Sequence, residues 1–462
     1  MAEKYDFISL GSGEAGKYIA WMLAGAHGKK CVVIERRWIG GSCPNIACLP
    51  SKSFVHSAGV VHETRQAASY GLRGLETTDL KAEIASIRDR KSEMVRGLVD
   101  MHLGKFRDNK VELVMGTGEF VGPKTIKVDG RLLTADNIVV CTGSTALVDP
   151  AVPGLVEAKP LTHVSILDMQ KLPPHLIVLG GGYVGLEFAQ AFRRFGSQVT
   201  VVERHEHILA REDDDVAEAL AKILSDEGVR LVTSAPVDKV EGECGRGVKL
   251  TLGPDVVEGT HLLAATGRTP NTAGIGLEAA GIRTTPRGHV EVDEQLRTNV
   301  DGVFAVGDCA GSPHFTHVAY DDFRVVYSNL TGTPRPGGTS GRQVPSTLFT
   351  APELAQVGLR ETEARARGTK YRVAKAPMAA FLRTRTLGEG QTQGFAKVLV
   401  EADSDKILGF AALGPSAGEL LPVVQLAMKL GVAYQEIANL IITHPTMSEG
   451  LTGLFSSVPP RG

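Results

Sequence analysis

A glycine-rich fingerprint occurs twice in this chain, and the repetition sharply limits the folds open to it. Asp6-Phe7-Ile8-Ser9-Leu10 reads as a buried strand, Gly11-Ser12-Gly13-Glu14-Ala15-Gly16 as a tight turn, and Tyr18, Ile19, Ala20, Met22 and Leu23 as apolar positions of a helix. A second apolar run, Cys31-Val32-Val33-Ile34, ends in Glu35. The order restarts at Gly180, 169 positions after Gly11. There Leu176 to Leu179 leads into Gly180-Gly181-Gly182-Tyr183-Val184-Gly185, a helical run with Leu186, Phe188, Ala189 and Phe192, and Val199 to Val202 closed by Glu203. In such units the first glycine (Gly11, Gly180) makes the turn and the second (Gly13, Gly182) lets backbone approach a pyrophosphate. The third (Gly16, Gly185) lets helix pack on strand, and the acid (Glu35, Glu203) is placed to accept a ribose hydroxyl. The pyrophosphate sits at the helix N-terminus. The chain is therefore read as α/β, with two doubly wound dinucleotide-binding domains, one for a flavin and one for a nicotinamide.

Between the first fingerprint and the rest lies Gly40-Gly41-Ser42-Cys43-Pro44-Asn45-Ile46-Ala47-Cys48-Leu49-Pro50-Ser51-Lys52. Cys43 and Cys48 are read as a redox-active dithiol/disulfide. Residues i and i+5 of a regular helix have Cα atoms about 8.6 Å apart, whereas a disulfide needs about 4.4–6.8 Å. A bridge would thus require a distorted helix, which Pro44 and the preceding glycines favour. A helix start also lowers a thiol pKa and makes thiolate available. A dithiol beside a flavin receives the electrons that nicotinamide delivers.

The 462 residues exceed what one core serves, and three or four domains are expected. A net charge of −2 offers no basic surplus for nucleic acid or an acidic membrane surface. No run reaches the roughly 18 apolar residues of a membrane span, and the N-terminus does not read as a signal peptide. With six cysteines in so long a chain, a secreted disulfide framework is not indicated, and a cytoplasmic enzyme is expected. Leu80 to Asn109 reads as a one-sided helix, Val111 to Val128 as broken strands, and Ile138 to Cys141 as a strand closing at Thr142-Gly143-Ser144. Leu262 to Asn271 closes the second unit, and Val303 to Asp308 returns the chain to the first. The segments are 1–150, 151–275, 276–340 and, after a Pro/Gly-rich linker, 341–462. The last mixes strands and helices and carries His444-Pro445-Thr446-Met447-Ser448-Glu449 near its end.

Together these elements resemble the class I pyridine nucleotide–disulfide oxidoreductases, which include dihydrolipoamide dehydrogenase, glutathione reductase and mercuric reductase. The motifs fall in the family's order over nearly the whole chain. The resemblance implies two Rossmann-like domains followed by a C-terminal α+β dimerisation domain. It places FAD in the first unit, with Gly41, Ser42, Gly118, Thr142, Gly143 and Ser144 around it, Asp308 on its ribityl chain and the Phe315–His317 backbone against it. It places NAD(P)H in the second, with Gly267 and Arg268 closing that unit. Cys43 would be the interchange thiol, Cys48 the charge-transfer thiol, and Lys52 and Glu187 a pair near the reactive flavin nitrogen. His444, polarised by Glu449, would be the acid/base, acting in the active site of the other subunit of a homodimer.

The acceptor implied is a small disulfide. Two alternatives are a metal ion, Hg(II) or Cu(II), and a lipoyl-bearing complex that the chain would serve as its dehydrogenase. No cysteine follows Cys309, so the C-terminal pair of a mercuric reductase is missing. Phe315-Thr316-His317, Asp321-Asp322-Phe323-Arg324 and Phe455-Ser456 look more like mercuric reductase-like and reactive-chlorine-resistance flavoproteins. Glu203 favours NADH by repelling a 2′-phosphate, while Arg204 and Arg211 favour NADPH; NADH is the preferred reading. Cys31, Cys141 and Cys309 read as core residues and Cys244 as a surface thiol. Arg211-Glu212-Asp213-Asp214-Asp215 reads as a solvated helix start. No resident metal site is expected.

Overall fold

The first fingerprint folds as a strand (Glu3–Leu10), a turn, a helix (Glu14–His27) and a second strand (Cys31–Glu35). Every residue of Cys31–Glu35 is buried, as an uninterrupted apolar run in a parallel sheet requires. The computed structural model describes residues 2–74, 80–388 and 390–461. Glu3–Leu10 pairs in parallel with Cys31–Glu35 on one side and with Arg131–Val140 on the other. Glu112–Met115 extends one edge in parallel, and the hairpin Glu119–Gly122 and Thr125–Val128 extends the other antiparallel. Val303–Ala305 pairs in parallel with Arg131–Val140, so the chain does return to this sheet. The sheet gathers residues 1–53, 88–147 and 267–342 into one unit.

The remaining residues, 54–87, 148–266 and 343–462, form a second unit. It repeats the pattern in a four-stranded parallel sheet: Arg230–Val232, Gln198–Val202, His175–Leu179 and His261–Ala264. An antiparallel meander follows in Lys239–Glu243, Gly247–Leu252 and Asp255–Gly259. The C-terminal part is a five-stranded antiparallel sheet ordered Ser346–Leu348, Glu353–Gly358, Ile407–Gly414, Phe395–Glu401 and Tyr371–Pro377. Helices Leu421–Leu430, Tyr434–Ala438 and Gly450–Ser456 accompany it.

The helix expected near residues 80–109 runs Ile84–Asp108. The charge run at 211–215 departs from expectation. A helix starts there, at Asp214–Asp226, but Glu212 and Asp213 are buried rather than solvated. Glu212 pairs with Arg360 (2.7 Å), and Asp213 accepts the amides of Glu361 and Thr362 (3.1 and 2.9 Å). Lys397, only 1% exposed, reaches Asp213, Asp215 and Glu361 at 2.7, 2.8 and 3.1 Å. The basic partners lie some 145–185 positions away, so no local pattern pairs them with the acids. These three carboxylates are the one metal-like cluster among the described residues, and an ammonium already fills it.

Candidate functional site

The helix is broken within the cysteine segment, with both cysteines as free thiols. Ser42–Asn45 forms one turn, Ile46 leaves helical geometry at φ −140°, and a new helix, Cys48–Arg65, starts at the second cysteine. The amides of Ile46 and Ala47 both donate to the Ser42 carbonyl (2.9 and 3.0 Å), which closes the break.

The turn that delivers Cys43 is pinned from several sides. Gly40 donates its amide to Ser12 Oγ (2.9 Å) and accepts Lys17 Nζ on its carbonyl (3.0 Å). Asn45 Nδ2 donates to the carbonyls of Ile39 and Gly41 (2.9 and 2.8 Å). Gly41 sits at φ +85°, and a Cβ there would lie 2.7 Å from Gly13 Cα. The cysteine loop is thus built directly on the first glycine turn.

Cys43 and Cys48 are both thiols here, half-buried, and they share a hydrogen bond. That bond is the largest influence on each, and it acts in opposite directions. It drives the Cys43 thiol well up, where burial adds to it. It draws Cys48 down to about 6 against the pull of burial, helped by Thr316 and by Lys52 four residues along. Thr316 Oγ1 lies 3.1 Å from Cys48 Sγ. The pair is a polarised one: charge on Cys48, proton on Cys43.

The surroundings fit a dinucleotide. The helix Glu14–His27 begins at Gly13 with no side-chain cap, which leaves its N-terminal amides open to a pyrophosphate. A Cβ on Gly11 would meet the Cys141 carbonyl at 2.2 Å, and one on Gly16 would meet Ser9 Oγ at 2.2 Å. Glu35 is more committed than expected: one oxygen accepts Ser12 N and Oγ (3.0 and 2.6 Å), the other Arg37 N and Trp38 N (2.8 and 2.9 Å). A ribose hydroxyl at Glu35 must share or displace one of these donors. Asp308 accepts Ser144 Oγ and lies 3.6 Å from Arg268, which itself donates to Ser144 Oγ at 2.6 Å. Gly307, beside it, donates its amide to the fully buried Asp322 (2.8 Å). Gly267 and Arg268, expected to close the second unit, belong to the first: the Gly267 carbonyl accepts Leu147 N (3.0 Å), and Arg268 stands with the Asp308 group. Gly118 packs tightly, since a Cβ would lie 2.7 Å from Leu10 Cδ1. Asn271 closes on the other side, bonding the Thr142 and Gly143 carbonyls at 2.9 Å each. Phe315, at the start of the helix Thr316–Leu330, stacks at 5.1 Å on His317 in its first turn. Cys31, Cys141 and Cys309 are buried, and burial pushes each thiol up.

The second glycine turn fits a dinucleotide more openly. Helix Tyr183–Phe195 also starts uncapped, at Gly182, and a Cβ on Gly182 would meet nothing within 4 Å. Gly180 and Gly185 are closed by the Ala265 and Gly180 carbonyls at 2.5 and 2.1 Å. Glu203 accepts Gly181 N on one oxygen and His205 N on the other (2.7 and 2.9 Å), leaving each a free acceptor position. Arg204 is exposed. Glu187 is buried and accepts Phe349 N at 3.0 Å. At the far end His444 Nδ1 lies 2.9 Å from both oxygens of Glu449, in an exposed position. Lys17 was not singled out by the sequence, because Gly40, which it holds, belongs to a different motif; Asn45, Thr316 and Asp322 were read only as parts of their segments, without the bonds they make here.

The chain was compared with known proteins. Residues 5–322 match the model for pyridine nucleotide-disulphide oxidoreductases, and residues 344–454 match the dimerisation domain of the same proteins. The chain belongs to that family. Pea mitochondrial dihydrolipoyl dehydrogenase is 33% identical over 97% of this chain and 90% of its own. Mercuric reductase of Bacillus cereus is 32% identical over 97% of this chain and 70% of its own. The HOCl-induced flavoprotein disulfide reductase RclA of Escherichia coli superposes with a TM-score of 0.89 at 33% identity, covering 98% of this chain and all of that one. RclA has also been solved as a Cu(II) complex. As a family member, the protein is a flavin-dependent oxidoreductase that uses FAD and NAD(P)H. No helix among the described residues is long and apolar enough to cross a membrane.

Proposed function

We propose that this enzyme carries electrons from NADH to a small disulfide by way of the Cys43–Cys48 pair. The polarised pair itself carries the reading: a thiolate at Cys48 and a protonated neighbour at Cys43, in a loop seated on the first glycine turn. FAD held by the first unit would supply the two-electron relay between the nicotinamide and the Cys43–Cys48 disulfide. Gly11, Gly13 and Gly16 with the uncapped helix at Glu14 would hold its pyrophosphate, and Asp308 with Ser144 and Arg268 would hold its polar chain. Segment 151–275 would carry the nicotinamide on Gly180, Gly182, Gly185 and Glu203, whose free acceptor positions suit an unphosphorylated ribose.

His444 would take the proton of Cys43, whose thiolate then attacks one substrate sulfur to form a mixed disulfide, and would return that proton to the first thiol as it leaves. Cys48 attacks Cys43, restoring the disulfide and releasing the second thiol. The balance is NADH + H⁺ + RSSR → NAD⁺ + 2 RSH. Glu449 fixes the His444 tautomer. His444 is exposed in the single chain, which suits service to a partner subunit's thiols, and Leu426, Leu430, Leu440 and Ile441 are exposed in the segment that matches the dimerisation domain. A reducing cytoplasm keeps such a pair cycling. The Cu(II) complex of RclA supports a second reading, with two Cu(II) ions as the acceptors of one electron each.

The test is NADH and NADPH oxidation against lipoamide, cystine, glutathione disulfide, Hg(II), Cu(II) and oxygen, alongside anaerobic reduction of the holoenzyme. A long-wavelength absorbance should appear on reduction and be absent in Cys48→Ser. Persistence of that absorbance in Cys48→Ser would refute the thiol assignment. Turnover with metal ions alone would replace the disulfide by Cu(II) as substrate.

A further inference from the structure

The most heavily buried charge beside the redox loop has no part in the scheme above. Lys17 is 2% exposed. Burying an ammonium costs several kcal/mol unless its partners repay it, and an apolar side chain of the same length would fill the space without that cost. Lys17 Nζ has two anionic or dipolar partners: Glu14 Oε2 at 2.7 Å, one helical turn earlier, and the Gly40 carbonyl at 3.0 Å. It also lies 5.7 Å from the Tyr18 ring centroid. Its side chain runs back toward the helix N-terminus, as helical side chains do, and there meets the turn that leads into Cys43.

The neighbourhood is one connected set of groups. Gly40 is bonded on its other side by Ser12 Oγ, which donates to Glu35. His102 packs on the same glycine, 2.9 Å from where its Cβ would be, and feels both Lys17 and Glu14. Glu14 also acts on Tyr18 and Cys43, and Lys17 on Cys141. The side chains that act on Cys43 are Cys48, Thr316 and, least of them, Glu14.

We propose that the Lys17–Glu14 pair is a positioning device for the dithiol. Lys17 holds the redox loop by the Gly40 carbonyl, and the Glu14 carboxylate holds Lys17 in that place, so that together they keep Cys43 set against Cys48. The two parts are interdependent. Lys17 without Glu14 is a buried cation that has lost its charged partner, and its hold on the Gly40 carbonyl loosens. Glu14 without Lys17 is a mobile carboxylate at a helix start, and the loop loses its anchor. This inference rests on the reading of Cys43–Cys48 as the redox pair.

The test uses reduced, FAD-replete holoenzyme carrying Glu14→Gln or Lys17→Met. Two signals are followed against pH: the long-wavelength absorbance that reports Cys48 thiolate, and the rate at which iodoacetamide alkylates Cys43, read by peptide mass spectrometry. Glu14→Gln keeps the shape and removes the charge. It should speed Cys43 alkylation several-fold at neutral pH and broaden or shift the absorbance titration. Lys17→Met should lower the rate of disulfide turnover at least tenfold while leaving KM for NADH within twofold. Should Lys17→Met not fold, Glu14→Gln decides alone. Folded, flavin-replete Glu14→Gln with both signals unchanged would overturn the proposal. If the absorbance instead survives in Cys48→Ser, it is the redox-pair reading that fails, so the two failures are distinguishable.

Discussion

Replacing Cys43 by alanine tests the polarisation of the thiol pair at its source. The hydrogen bond from Cys43 is the largest of the influences that bring Cys48 down to about 6. Thr316 and Lys52 remain in the variant, while burial still opposes them. A thiol of ordinary pKa, about 8.5, is only about 3% ionised at pH 7, whereas one near 6 is about 90% ionised, a difference of roughly 30-fold. The Cys43→Ala midpoint should rise by about one to three units, depending on how much Thr316 and Lys52 retain. Cys43→Ser keeps a donor at the same place and should shift less. Neither variant can form the disulfide, so in both, on the proposed assignment, the Cys48 thiol would stand beside oxidised flavin. Its long-wavelength absorbance can then be titrated directly with no reductant. The wild-type enzyme is titrated after anaerobic reduction by one equivalent of NADH. A Cys43→Ala midpoint within half a unit of wild type would refute the claim that the dithiol bond sets the charge on Cys48, and would assign that role to Lys52 and Thr316.

The other predictions are read by different instruments. Lys397→Met leaves Asp213, Asp215 and Glu361 gathered without their ammonium, and should cost about 3–5 kcal/mol, seen as a lowered Tm. Burial alone would push Asp213 up, but Lys397 and the amides of Thr362 and Glu361 hold it at about 2. A depressed carboxylate stabilises the fold above its unfolded pKa, so this contribution should fade as pH falls from about 4 toward 2, and Lys397→Met should flatten that part of the acid-stability curve. Gly41→Ala combines φ +85° with a Cβ 2.7 Å from Gly13 Cα, and should purify with a reduced flavin-to-protein absorbance ratio. Glu449→Gln should spare reduction of the enzyme by NADH in stopped flow. It should slow disulfide turnover by about 10²–10⁴-fold if His444 is the acid/base it orients.

Much of the fold was legible because parallel strands and glycine turns are local statements. Cys31–Glu35 is an unbroken apolar run and is buried throughout. Gly16 and Gly185 stand where helices touch the preceding turn, at contact distances no other residue permits. The spacing of Cys43 and Cys48 asked for a distorted helix only if the two bridge; the helix is broken at Ile46 with both cysteines as free thiols. What escaped the sequence was the partner of each buried charge. Arg211 to Asp215 has the composition of a solvated helix start, yet Glu212 and Asp213 go to Arg360, Lys397 and the amides of a helix far along the chain.

Lys17 shows the same limit at the site itself. It follows Gly16 directly, and a lysine in the first turns of a helix ordinarily reads as a solvent-facing residue whose head stays in water. The structure gives it the opposite surroundings because the turn at Gly40 and Gly41 folds back over the start of the same helix. That fold-back needs two glycines with positive φ, a strand end knotted by Glu35, and an Asn45 that reaches two carbonyls of the turn. Each of those requirements is visible in the sequence, but only as a permission. The glycine fingerprint states that backbone must come close to something. In the first unit the neighbours include the Cys141 carbonyl against Gly11 and the protein's own redox loop, Gly41 against Gly13. Cofactor cradle and dithiol are therefore one construction, and substitutions at Gly13, Lys17 or Gly41 should disturb flavin retention and thiol reactivity together.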